Sequence, residues 1–195
     1  MDGGRVVGDS DTCADFDLPT VLAQLDGDEA GPRRDAVETI REHVETDPDA
    51  CLTAVPKLRR LLSQPDLECH EAVATCLARL AAHSPVDVAP SADEIAAFVT
   101  ANPAHSATPA AYRCLAAIAT ERPEALVDHV PSLVDSLENA TAEGRTAGTL
   151  VLARVAAVAD VRLGSERERV LERLATEDPD RIVRDRTRRT LERLS

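Results

Sequence analysis

The sequence predicts an all-α protein, an α-α superhelix or solenoid of five helix hairpins, and three observations predict it. Segments of the chain return at a fixed spacing, the mark of a repeat architecture. The apolar content of 44% is ordinary, yet the chain has only three aromatic residues (Phe16, Phe98, Tyr112), so its core must be built from Ala, Val and Leu. The alternation of β-branched and aromatic residues that marks strands is missing.

The spacing is read from the residues themselves. Asp47–Pro48–Asp49–Ala50, with Ala54–Val55–Pro56–Lys57–Leu58 after it, returns 75 residues on as Arg122–Pro123–Glu124–Ala125 and His129–Val130–Pro131–Ser132–Leu133. Ile40, Leu77, Leu115, Leu152 and Leu191 follow one another at 37 to 39 residues, so 75 residues hold two units. Pro48, Pro85, Pro123 and Asp160 stand eight residues after the first four of these and close each hairpin. The first hairpin is predicted over 18–26 and 32–46, and the second over 49–63 and 67–82. The third covers 92–101 and 107–121, the fourth 124–139 and 143–159, and the fifth 165–176 and 180–194. Pro32, Pro48 and Pro123 fall in first turns, where a missing N–H costs nothing. Pro56 and Pro131 fall inside first helices and should kink them. The repeats therefore run over about 18–47, 48–84, 85–122, 123–160 and 161–195 as one domain. Residues 1–17, acidic and with three Gly, read as a disordered tail from which Phe16, together with Leu18, docks on the first hairpin.

These units resemble HEAT repeats, of the wider armadillo-like class. The features that carry the likeness are the proline-then-leucine of the first helix (Pro56/Leu58, Pro131/Leu133) and the Arg that opens the second. That column reads Arg33, His70, Thr108, Arg145 and Arg184, and so departs from the pattern in repeats two and three. Asp178–Pro179–Asp180 with Ile182–Val183–Arg184 is the best single match. The resemblance implies a protein-binding scaffold. It also admits two enzyme groups, the bilin lyases and the alkyl-base DNA glycosylases, and the second needs groove aromatics that this chain lacks. A shared fold does not by itself assign function.

Acids number 35 against 22 bases, a net charge of −13, and Lys57 is the single lysine. This composition resembles that of halophilic archaeal proteins, in which surface acidity answers a salt-rich solvent more than a partner. No apolar stretch near the start suggests a signal peptide, and the run near 150–159, broken by Arg154, is too short to span a bilayer. Five cysteines at 13, 51, 69, 76 and 114 form no Cys-x-x-Cys pair, so free thiols in a reducing cytoplasm are expected. Cys76 and Cys114 share one repeat position and read as core. Cys69, His70 and His83 do not converge as metal ligands do, and His43, His105 and His129 fall at unrelated repeat positions. No nucleophile–base set, phosphate loop or His-Glu-x-x-His occurs, so neither catalysis, cofactor nor metal is predicted.

Charge is distributed unevenly. Segment 70–82 holds one acid (Glu71) while 106–120 and 145–159 hold none, and acids crowd into first helices and loops. Two positions beyond each core residue come Glu42, Arg79, Ala117, Arg154 and Arg193; two before come Glu38, Thr75, Arg113, Leu150 and Arg189. Since second helices line the concave side of such a solenoid, Arg79, Arg113, Leu150, Arg154, Arg189 and Arg193 are the expected partner-binding residues. They suit an acidic or amphipathic helix or peptide of another protein. The bland alternative is that the arginines bridge neighbouring repeats through ordinary ion pairs. Residues 160–195 hold nine acids and ten arginines, +1 against −14 for the rest, so nucleic-acid binding through this final helix and the groove is the competing expectation.

Overall fold

The computed structural model describes residues 17–194, and within them every regular element is helical. The first hairpin is α1 (Leu18–Asp26) and α2 (Ala30–His43). The second is α3 (Pro48–Cys51), a 3₁₀ turn over Leu52–Ala54, α4 (Val55–Leu62) and α5 (His70–His83). The third is α6 (Pro85–Val88), a turn over Ala89–Ser91, α7 (Ala92–Ala101) and α8 (Thr108–Glu121). The fourth opens on a 3₁₀ segment, Pro123–His129, followed by α9 (Val130–Leu137) and α10 (Ala142–Val155). The fifth is α11 (Ser165–Glu177) and α12 (Arg181–Leu194).

The prolines act more strongly than a kink. Pro56 and Pro131 each stand in the first two positions of a new α-helix, α4 and α9, that starts after a 3₁₀ stretch. A proline lacks the N–H for the i→i−4 ladder, so the chain restarts its helix there. Repeat three breaks in the same way at Ala89–Ser91, which contains Pro90, so Pro85–Val88 is a helical piece that the sequence pattern does not reveal. Asp47 caps α3 by accepting from Ala50 N at 3.2 Å, and Thr141 caps α10 by accepting from Gly144 N at 3.1 Å. Asp17, placed in the tail by its composition, is the N-cap residue of α1. The rest of the tail, including Phe16 and Cys13, lies outside the described residues.

Two rows of helices result. First helices α1, α4, α7, α9 and α11 pack in sequence, as do second helices α2, α5, α8, α10 and α12. One continuous apolar core runs between the rows from Val21 to Val183. Ile40, Leu77, Leu115 and Leu152 are all buried in it, while Leu191, in the fifth repeat, is only half-buried. At Gly148 the backbone of α10 comes so close to α9 and α8 that a Cβ would meet Leu137 Cδ2 at 2.5 Å and the Tyr112 ring at 3.0 Å. Tyr112 is fully buried and its hydroxyl bonds to Ser136 Oγ at 2.5 Å.

Candidate functional site

The six residues expected to bind a partner all fall on the row of second helices, but the structure separates them into two kinds. Three reach back to the preceding repeat. Arg79 donates to Arg41 O at 3.3 Å and pairs with Glu45. Arg154 donates to Ala116 O, and Arg193 donates to Ala153 O at 3.3 Å. All three thus bridge to a helix carbonyl about one repeat behind, by main-chain acceptors and not by the ion pairs expected; only Arg79 adds such a pair. Arg113 and Arg189 are exposed and make no hydrogen bond or ion pair with a described residue.

Arg113, Leu150 and Arg154 come together around one hollow of about 380 Å³ between α8 and α10, with Ala81 and Pro85 at its far wall. Leu150 is half-buried against the core, so it contributes to packing as well as to the hollow's floor. Arg79 lies outside this hollow, and Arg189 and Arg193 lie along α12. Arg186, which the repeat register did not place in the groove, belongs with them. It donates to Thr146 O at 2.6 Å, and burial together with nearby Arg154 pulls its pKa below the usual guanidinium value. Its acceptor is a main-chain carbonyl, so no residue type in the sequence signals the contact.

Set against the other row, the contrast is chemical. On the first helices and their loops, Lys57 pairs with Asp26, Arg59 with Glu94, Arg167 with Asp135 and Arg173 with Glu138. Arg113, Arg154, Arg186, Arg189 and Arg193 have no carboxylate partner among the described residues.

The cysteines expected in the core are there. Cys51, Cys76 and Cys114 are fully buried; burial pushes the Cys51 thiol up to about 11 and that of Cys76 up to about 12, and raises Cys114 further. Cys114 Sγ donates to Leu77 O at 3.4 Å. No group of three or more metal-ligating side chains converges among the described residues. The histidines need a correction. His70 and His105, at unrelated repeat positions, meet with ring centroids 5.2 Å apart, and both stand against Phe98. A hairpin turn projects beyond the helices, so turn residues of successive repeats touch even where their helical registers differ.

No helix among the described residues is long and apolar enough to cross a membrane. The sequence matches no protein-family profile and no curated protein. Among solved structures it is similar to an engineered protein at 21% identity and a TM-score of 0.66, covering 90% of this chain and 78% of that one. A designed armadillo repeat protein also aligns, at 16% identity and a TM-score of 0.46, over 91% of this chain and all of that one. The first likeness and the two helix rows place the chain among the α-solenoids.

Proposed function

We propose that this protein is a non-catalytic scaffold whose second-helix face, the concave one in HEAT-type solenoids, holds an acidic or amphipathic helix of a partner protein. The observation that carries the reading is charge left over. In a chain of net charge −13, Arg113, Arg154, Arg186, Arg189 and Arg193 of the second-helix row have no carboxylate partner among the described residues, whereas on the outer row Lys57, Arg59, Arg60, Arg167 and Arg173 are paired and Arg169 alone is not. An unneutralised cationic stripe inside an acidic shell steers an acidic ligand to one face and discourages others. Leu150, beside Arg113 and Arg154, offers an apolar anchor at the centre.

Arg113 and Arg189 are the residues to change, since neither holds the fold together. Arg113→Glu with Arg189→Glu in the full chain is expected to abolish capture of a stoichiometric protein partner while leaving the melting temperature within about 1–2 °C. Equal capture by wild type and variant refutes the assignment. Nucleic acid is the second reading because the same arginines fit phosphate. However, Tyr112 and Phe98 are both buried, so among the described residues no Phe or Tyr is offered for base stacking. Anisotropy of labelled DNA and RNA across a salt series separates the two. Tight binding that falls steeply with salt moves the assignment to nucleic acid.

A further inference from the structure

Each hairpin turn leaves carbonyl groups at the end of its first helix without helical partners. Four of the five repeats answer this with a side chain at one fixed place, the opening of the second helix. Arg33 donates to Gly27 O at 2.7 Å and reaches Gln64 Oε1 of the next turn at 3.4 Å. Thr108 donates to Asn102 O at 2.5 Å. Arg145 donates to Ala140 O at 2.8 Å and, through Nε, to Asp178 Oδ2 of the next turn at 2.5 Å. Arg184 donates to Asp178 O at 2.5 Å.

Repeat two has His70 at this place, and His70 ties nothing. His70 is 6% exposed and its ring has no hydrogen-bond partner among the described residues; it stacks on Phe98 with centroids 5.4 Å apart. The shorter side chain leaves a pocket of about 410 Å³ between the turns of repeats two and three. The acceptors that a guanidinium would use are still in position. Asn102 stands 32 residues beyond His70, as Gln64 stands 31 beyond Arg33 and Asp178 stands 33 beyond Arg145. Asn102 Nδ2 donates to Phe98 O at 3.0 Å, which leaves Oδ1 open. Glu94 lines the same pocket, loosely paired with Arg59 at 3.4 Å.

We infer that this pocket receives the guanidinium of an arginine from a partner protein, entering where Arg33 and Arg145 sit in their own repeats. A planar fork of donors matches Asn102 Oδ1 and the carbonyls of the Gln64 turn, and the aliphatic stem lies along Ala97, Ala101 and the Phe98 edge. Glu94 repels an anion and attracts the cation, as does the chain's net charge of −13. A metal fits poorly: only two imidazoles meet here, and Nδ1 of His105 already accepts from Ala107 N at 3.0 Å. The pocket lies on the hairpin-turn edge, away from the arginine-bearing face, so the two assignments stand or fall separately.

The test uses the full chain and blocked Nα-acetyl-arginine methylamide, followed through the NMR signals of His70, His105 and Asn102. Saturable shifts at these residues are expected, with none from the neutral isostere, blocked citrulline. His70→Arg should fill the pocket in cis, raise the melting temperature and abolish the shifts. Asn102→Asp, which copies Asp178, should tighten binding by at least about threefold. Arg113→Glu with Arg189→Glu should leave binding unchanged. Arginine binding no tighter than citrulline overturns the inference, as does a folded His70→Arg that binds like wild type. If His70→Arg does not fold, an unchanged affinity in Asn102→Asp overturns it. Binding of free L-arginine without binding of the blocked residue also overturns it, because the ligand is then a small molecule and not a protein side chain.

Discussion

Replacing Asp178 with Ala should be among the most damaging single changes to this fold. Its side chain is 2% exposed and accepts from Arg145 Nε at 2.5 Å and from Asp180 N at 2.9 Å, while Arg145 is itself 19% exposed. A hydrogen bond to a charged group contributes about 1.5–3 kcal/mol, so two give roughly 3–6 kcal/mol before relaxation. Arg145 keeps its bond to Ala140 O and some access to water, which offsets part of that loss. The expected cost is about 3 kcal/mol, or about 6–12 °C in melting temperature for a chain of this size. Asp178→Asn keeps an acceptor for Asp180 N and should cost about half as much. Urea unfolding of Asp178→Ala, Arg145→Met and the double variant measures the coupling, and amide exchange in α12 locates it. A coupling below about 0.5 kcal/mol, or an Asp178→Ala shift under about 2 °C, refutes the reasoning.

Further outcomes follow from the packing and the charge. Gly148→Ala should lose about 1 kcal/mol despite its helix propensity, because the added Cβ meets Leu137 and Tyr112; Gly31→Ala, with nothing within 4 Å, should gain about 0.5 kcal/mol, both by urea denaturation. Thr187 is buried and its hydroxyl has no hydrogen-bond partner, so Thr187→Val should raise stability by about 1 kcal/mol in the same assay. Iodoacetamide at pH 8 should leave Cys51, Cys76 and Cys114 unmodified in the native protein and label them on unfolding, since burial holds all three thiols protonated. The melting temperature should rise markedly between 0.1 M and 3 M KCl as screening relieves a net charge of −13, and a flat profile would count against the self-repulsion argument.

What the sequence made legible was periodicity. The spacing of Ile40, Leu77, Leu115 and Leu152 located the core column, because a buried aliphatic at each repeat is a packing requirement that leaves a residue-type signature. The helix breaks were half legible: Pro56 and Pro131 announced theirs, whereas Pro90 stands outside the repeated Val-Pro-x-Leu pattern. The arginine face was legible as a set of positions but not as roles. Arg79, Arg154 and Arg193 bond to main-chain carbonyls, acceptors that every residue carries, so no residue type marks them in advance. Side-chain pairs across repeats were hidden for a related reason. They join residues 31 to 36 apart along the outer row, as in Lys57–Asp26 and Arg173–Glu138, while the arginine-to-carbonyl bonds of the inner row span 38 to 40. One fixed repeat length therefore predicts neither.

The bonds from arginine to carbonyl also have a mechanical meaning. A directional bond resists rotation between neighbouring units, whereas aliphatic contact fixes mainly their separation. On the inner row such arginine bonds cross from repeat two to one, from four to three and from five to four. Ala117 interrupts the series, and between α5 and α8 only the weak thiol bond of Cys114 accompanies the aliphatic packing. The outer edge of that same junction is fastened, by Arg59 donating to Pro90 O at 2.8 Å. On its inner side the same junction is held by aliphatic packing, and α5 with α8 is the most closely packed helix pair among the described residues. Rotation between the second and third units should therefore be the least constrained in direction, since no arginine bond of the inner row guides it, while that packing fixes their separation.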